Sequence, residues 1–198
     1  MARTREFDPD TALTGAMQVF AARGYSNTSI DDVVSATGVS RYGIYGTFGN
    51  KRELFEQALG RYIEQRGQAA FMRLLDPASG LAEIRETFLD RVRYVAEAKE
   101  NNACLMINTA MSLGPRDSEI DEVLSKLFRS MVKAYEIALH HAQARGELRE
   151  GVDPKETAEF LLGAFFGMVV MARVGFDADK LRVYVDSTIA GISAASDS

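Results

Sequence analysis

Apolar residues recur along this chain at three- and four-residue spacing, which predicts one amphipathic helix after another. Leu13, Ala16, Met17 and Phe20 form one buried stripe on a first helix from Pro9 to Arg23. Gly24 is placed to end it, because glycine takes the left-handed C′ conformation without a Cβ penalty. Thr28 or Ser29 then caps a short second helix, with Asp31 and Asp32 in its first turn and Ile30, Val33 and Val34 facing inward. That helix stops at Gly38, and Ser40 opens a third carrying Ile44, Tyr45 and Phe48. Two short helices joined by a tight turn containing glycine make a helix-turn-helix. Gly38 would supply the positive φ of the turn, and Ala36 would let the helices approach closely.

Asn50-Lys51-Arg52-Glu53 is a capping-box-like start to a fourth helix, which Leu54, Phe55, Ala58, Leu59 and Tyr62 carry on toward Leu75. Asp76-Pro77-Ala78-Ser79-Gly80 is the clearest break in the chain. Beyond it, Leu81, Ile84, Phe88, Val92 and Val95 mark another stripe, interrupted at Asn101-Asn102. Cys104 to Leu113 predicts a short helix ended by Gly114-Pro115. Ile120, Val123, Leu124, Leu127, Met131, Tyr135 and Ala138 predict a long one ending near Gly146. Asp153-Pro154-Lys155-Glu156 combines an N-cap, proline at N1 and glutamate at N3. Asp177 caps a last helix holding Leu181, Tyr184, Thr188 and Ile192, before a small, polar tail. No strand pattern competes. The expectation is an all-α fold of about nine helices, with a helix-turn-helix domain in residues 1–53 and a helical regulatory domain in 54–198.

Composition narrows the class. The chain has 198 residues, 46% of them hydrophobic and 26% charged, as in an ordinary globular protein. Its one cysteine excludes an intrachain disulfide framework and fits a reducing cytoplasm. The basic Met1 to Arg5 runs into Glu6, Asp8 and Asp10 without an apolar segment, which argues against a secretory signal. Phe160 to Ala172 is the longest apolar stretch, thirteen residues broken only by Gly163 and Gly167. A membrane span needs about 20, so this stretch reads as a buried helix or a subunit interface. A net charge of −5 argues at first against a nucleic-acid partner. The deficit, however, lies wholly beyond residue 66: residues 1–66 carry eight basic and eight acidic side chains.

The stretch from Phe7 to Leu59 resembles the DNA-binding domain of the tetracycline-repressor family. The matching pieces are Ala16-Met17-Gln18-Val19-Phe20, Arg23-Gly24-Tyr25, Thr28 to Val34, Ala36 to Ser40, Ile44 to Phe48 and Asn50 to Phe55. The chain departs from the common pattern at Arg41-Tyr42-Gly43, where members often carry Lys-Gly-Thr, and at Gly49, where they often carry lysine. The first departure bears on base recognition, so an operator sequence does not transfer from relatives.

In a helix-turn-helix the start of the second helix reaches base edges in the major groove. Here that start is Ser40, Arg41, Tyr42 and Gly43. Arg41 is suited to guanine O6 and N7, and Tyr42 to a thymine methyl or a phosphate. Gly43 would let the DNA backbone come close. Tyr45, Thr47 and Lys51, with the amide-rich start of the second helix at Thr28 and Ser29, suit phosphate contacts. The resemblance implies backbone contacts for Tyr45 and Lys51, a homodimer formed through the last two long helices, and repression of a near-palindromic operator. The interface expected on that basis is Phe160, Gly163, Phe166, Gly167, Val170, Leu181, Tyr184 and Thr188.

The C-terminal body is rich in Phe, Met and Tyr, which individually read as core. Together they suggest an apolar cavity for an unknown small-molecule effector, formed from Tyr62, Phe88, Met106, Asn108, Thr109, Tyr135, Phe165 and Met168. His140 and Arg173 would add polar handles. Effector binding would favour a conformation that no longer fits the operator spacing. The alternatives are an effector-independent dimeric regulator and a redox- or electrophile-responsive repressor acting through Cys104, with a packed thiol as the plainer reading of that residue. Adjacent His140 and His141 cannot share a helix face, and no catalytic motif occurs, so no metal, no cofactor, no enzymatic activity and no membrane partner are expected.

Overall fold

The computed structural model describes residues 7–97, 104–113 and 116–195. Asn101-Asn102, Gly114-Pro115 and the ends of the chain, on which part of the sequence reading falls, lie outside the described residues. Ten helices are numbered in chain order: α1 (Pro9–Arg23), α2 (Ile30–Thr37), α3 (Arg41–Phe48), α4 (Lys51–Tyr62), α5 (Ala69–Met72), α6 (Leu81–Glu97), α7 (Leu105–Ser112), α8 (Ser118–Ala144), α9 (Pro154–Arg173) and α10 (Ala178–Ala190). A π-helical segment, Ile63–Gln68, joins α4 to α5, and a 3₁₀ turn, Arg73–Leu75, closes that run. Counted as one helical stretch from Lys51 to Leu75, it brings the total to nine among the described residues. The expected fourth helix is therefore long but not uniform. No strand occurs among the described residues beyond one isolated bridge pairing Leu148 with Ser193.

The contacts sort the chain into two compact units. The first comprises residues 1–66 and 103–122, so it holds α1–α4, α7 and the first turn of α8. The second comprises residues 67–102 and 123–198. This division is not a single cut after residue 53, because a segment distant in sequence returns to the first unit.

Side-chain caps define the helix starts in the first unit. Asp8 accepts from the Asp10 and Thr11 amides at α1, where Pro9 occupies the position that needs no donor. Ser29 and Asp32 cap α2 reciprocally, as do Asn50 and Glu53 at α4. Gly38 takes the left-handed conformation (φ 69°, ψ 3°) that the helix-turn-helix turn requires. Gly24 also has a positive φ of 76°, but its ψ of 166° is extended, so it redirects the chain instead of forming the expected left-handed cap.

The core of this unit is α1 packed on α2, α4 and α7. Phe20, fully buried, meets Phe55 edge-on with ring centroids 5.1 Å apart, and Tyr25 lies 4.8 Å from Phe55. Two expectations are corrected. Ala36 is exposed, and Gly15 of α1 makes the close approach instead: a Cβ there would lie 2.8 Å from Thr37 Cγ2. Val34 is only half-buried, which leaves Ile30 and Val33 as the inner residues of α2.

In the second unit α10 packs on α6 and α9, and all five predicted residues of the α6 stripe are buried. Phe71, Phe88, Tyr135 and Phe165 form an aromatic cluster drawn from α5, α6, α8 and α9, with ring centroids 5.2–6.2 Å apart. The break at 76–80 is a real turn, and its Ser79 is wholly buried, donating to the Leu74 carbonyl at 2.8 Å. Val123, placed on the apolar stripe of α8 by spacing, is exposed, as are Met72 and Met111.

Candidate nucleic-acid interface

The start of α3 presents the expected base-reading residues to solvent. Ser40 is the N-cap and accepts from the Gly43 amide at 3.1 Å, which fixes the first turn. Arg41 and Tyr42 are both exposed, Tyr42 to 84%, while Ile44 and Phe48 on the opposite side are buried. The C-terminal end of α3 is held by Gln57, whose side-chain amide donates to the Phe48 carbonyl at 3.0 Å. α3 is thus fastened at both ends.

Around it, Tyr45 is 42% exposed one turn along the same helix, and Thr47 is half-buried. Lys51 is half-buried, with its Nζ 4.3 Å from the centre of the Tyr25 ring, a cation–π arrangement. Burial lowers the Lys51 ammonium below the ordinary lysine range, and the Asp32 carboxylate partly offsets that shift. Tyr25 therefore positions Lys51, a role that sequence spacing does not reveal.

Several expected contacts take a different form. Thr28 is 2% exposed; its hydroxyl donates to the Gly24 carbonyl at 2.7 Å and its amide to Tyr25 at 3.3 Å, so neither group is available to a phosphate. The Ser29 amide donates to Asp32 at 2.8 Å within the capping box. Gly43 is small for an internal reason: a Cβ there would lie 2.9 Å from Val39 Cγ1 and 3.0 Å from Phe7 Cε1. Packing against the turn and the segment before α1 fixes this glycine, independently of any approach of DNA.

Arg41 has a partner that the sequence did not suggest. Its Nη2 donates to both Asp31 carboxylate oxygens at 2.5 Å, which links the start of α3 to the start of α2. The hydrogen bonds to the Asp31 carboxylate raise the Arg41 pKa above its ordinary value. Farther back, Arg52 of α4 bonds Glu56 and Asp117, and Asn108 of α7 donates to the Ala21 carbonyl of α1 at 2.8 Å.

The expected effector residues are divided. Tyr62, Met106, Asn108 and Thr109 belong to the first unit, where Asn108 is engaged with α1 as just described. Phe88, Tyr135, Phe165 and Met168 belong to the second and are buried together there. The Tyr135 hydroxyl is completely buried and has no hydrogen-bond partner among the described residues. Desolvation raises its pKa well above the ordinary phenol value, so it remains a proton donor. His140 and Arg173 are exposed and supply no handle to that cluster. Two surface grooves in the second unit, of about 450 Å³ between α8 and α9 and about 560 Å³ beside α10, are lined by none of the expected effector residues. Cys104 is buried at the N-cap of α7 and makes no capping bond there.

On α9, Phe160, Gly163, Gly167 and Val170 follow one helical stripe, and all but half-buried Gly167 are exposed, as is Val174 at the C-cap; Val183 is exposed on α10. Phe166 is half-buried, its ring 4.9 Å from that of Phe128. Leu181 is fully buried within the chain, so it belongs to the core and not to an exposed face. Tyr184 is an internal clamp whose hydroxyl donates to the Ala164 carbonyl at 3.0 Å beside Gly167. Thr188, also half-buried, donates to the Tyr184 carbonyl at 2.8 Å. No described helix is long and apolar enough to cross a membrane.

Comparison with known proteins agrees with this geometry. Residues 12–58 match the family described as bacterial regulatory proteins, tetR family, and residues 80–188 match the tetracyclin repressor-like C-terminal domain. The HTH-type transcriptional regulator YezE of Bacillus subtilis is 32% identical over 190 residues, covering 96% of this chain and 98% of YezE. The HTH-type transcriptional repressor ComR of Escherichia coli is 31% identical over 188 residues, covering 94% of this chain and 90% of ComR. Among solved structures, a cysteine-substituted CifR bound to a 26-bp operator duplex superposes with a TM-score of 0.83 at 27% identity, covering 96% of this chain and all of that one. A helix-turn-helix with an outward-facing reading end, followed by a helical body of this kind, defines a DNA-binding transcriptional regulator. The chain belongs to the TetR family.

Proposed function

We propose that this protein is a cytoplasmic homodimeric repressor that reads a near-palindromic operator through Arg41 and Tyr42 and is released by a small, neutral, largely apolar effector. It carries out no catalysis. The observation that carries the DNA-reading part is the first turn of α3, capped by Ser40, with Arg41 and Tyr42 exposed on a helix whose other face is core. Tyr45, Thr47 and Lys51 then serve the phosphates on either side. One such helix reads few base pairs, and two spaced one helical turn apart read a two-fold site. The 26-bp operator bound by the CifR variant is long enough for two half-sites. The apolar stripe of α9, with Val183 of α10, supports a second copy as the partner that supplies the other helix.

The buried Tyr135 hydroxyl supports the effector part. An unpaired buried donor costs about 1–3 kcal/mol, and a ligand acceptor would recover that cost inside the aromatic cluster. Among the described residues no Lys, Arg, Asp or Glu of the second unit is buried as a whole residue, so a charged ligand beside the four rings would meet no fully buried counter-ion. That favours a neutral one.

The test is fluorescence anisotropy of the dimer on DNA from upstream of its own coding region, over a salt series. Saturable binding with a steep salt slope, weakened in Arg41→Ala and Tyr45→Phe, is the expected result. Binding no tighter than to random DNA, followed by a genomic selection that recovers no site, would end the repressor reading. The same assay then screens effectors; a regulator that no compound releases is the effector-independent alternative.

A further inference from the structure

Arg41 and Asp31 lie in different helices, yet their side chains meet at the surface where the reading helix begins. Arg41 donates through Nη2 alone, which bonds both oxygens of Asp31, so the pair does not use the two hydrogens of Nη1. Nη1 is a donor of the kind that guanine O6 and N7 accept. Both side chains are mainly exposed, at 57% and 69%, and such a pair contributes little to fold stability. An acidic group beside a DNA-reading arginine also repels phosphates. The pair is thus poorly explained by stability or by general affinity, and its effect falls on orientation: a long, flexible side chain is held in one direction before it meets a base.

We infer that Asp31 is a specificity-determining positioning residue, which orients the Arg41 guanidinium toward guanine while weakening attachment to DNA of any other sequence. The inference rests on the reading of Arg41 as a base contact given above. Its physical basis is a difference of affinities. On the operator, Asp31 trades phosphate repulsion for an ordered arginine; elsewhere only the repulsion remains, so the ratio of specific to non-specific binding rises.

The experiment starts by selecting the preferred duplex of the wild-type dimer from a randomised pool. Wild type, Asp31→Asn, Asp31→Glu and Arg41→Ala are then titrated against that duplex, its single-base variants and a random duplex at fixed salt. Arg41→Ala should lose roughly fivefold or more of discrimination for guanine at one position in each half-site. Asp31→Asn should lose about threefold or more at that same position and bind random duplex more tightly. Asp31→Glu, which keeps the charge, should recover part of the preference.

If Arg41→Ala removes the guanine preference and Asp31→Asn leaves it intact, the inference fails while the base-reading proposal stands. If Arg41→Ala changes no base preference, the base-reading proposal fails and takes the inference with it. A gain in both affinity and discrimination for Asp31→Asn would make the pair a latch that restrains Arg41, and would overturn the positioning role. Equal weakening on all duplexes with a lowered unfolding temperature would reduce Asp31 to a helix-start contact and overturn it too.

Discussion

The two units differ in how they treat polar groups. In the first, polar side chains lock the elements in place: Asp8, Ser29, Ser40 and Asn50 cap the helices, Gln57 holds the end of α3, and Arg61 bonds both the carbonyl and the carboxylate of Asp10. In the second, Asp153 and Asp177 also cap helices and Tyr184 clamps α10 to α9, but the centre is four packed rings with one hydroxyl that has no partner among the described residues. A surface that must match a rigid duplex gains from being ordered in advance. A body whose occupancy must change its preferred state gains from a polar group left unsatisfied until a ligand arrives.

The largest expected effect tests whether the two units serve separate purposes. Phe20→Ala removes the ring at the centre of the first unit and should cost about 3–5 kcal/mol in urea unfolding, with loss of operator binding. Phe88→Ala should cost a similar amount from the second unit, yet leave operator affinity near wild type under conditions where the variant remains folded. Equal loss of DNA binding in both variants would break the comparison. Gly43→Ala comes next. The added Cβ overpacks Val39 and Phe7 and should lower stability by about 1–3 kcal/mol. An unchanged urea midpoint with weakened DNA binding would instead show that glycine is needed at the duplex.

How far the sequence could be read follows the same division. The bounds of α1 and α2, the capping box at Asn50 and the left-handed Gly38 were legible, because spacing, caps and turn glycines are local signals. The buried face of α6 was legible for the same reason. Pairings between distant residues were not. Nothing near Arg41 in sequence announces Asp31, and nothing near Lys51 announces Tyr25. Spacing also cannot say which small residue a neighbouring helix leans on, so it points to Ala36 for the close approach that Gly15 makes, and it does not reveal that Val39 and Phe7 crowd Gly43. Thr28 shows the limit most plainly. A threonine at a helix start is a good phosphate ligand by type, but here both its hydroxyl and its amide are engaged within the chain.

A smaller effect sharpens the comparison from the second unit. Tyr135→Phe removes the unpaired hydroxyl and keeps the ring between Phe71 and Phe88, so stability should rise by about 1 kcal/mol, read as a higher urea midpoint. The same variant should respond less to any effector found by screening. A fall in stability would show that the hydroxyl has a partner in solution, and the contrast between the two units would narrow.

The smallest expected effect concerns a polar lock of the first unit and depends on pH. Asp117 accepts from Arg52 and from the Ile120 amide, and the bonds from Arg52 are the main cause that holds its carboxyl below the ordinary aspartate range. A carboxylate with a lowered folded-state pKa binds its proton more readily in the unfolded chain, so acid favours unfolding. Its contribution is complete above the unfolded value, near about 4, and disappears as pH falls through the lower folded value. Asp117→Asn should therefore be less stable than wild type at neutral pH, and the gap should close in unfolding measured at progressively lower pH below about 4. Arg52 remains charged throughout, so the closure reports Asp117 alone. Arg52→Lys should open a similar gap at pH 7, because an ammonium cannot reproduce the two-nitrogen grip on the carboxylate. A gap that stayed constant into acid would mean that Asp117 acts as an uncharged helix cap, and that the lock holds by geometry without charge.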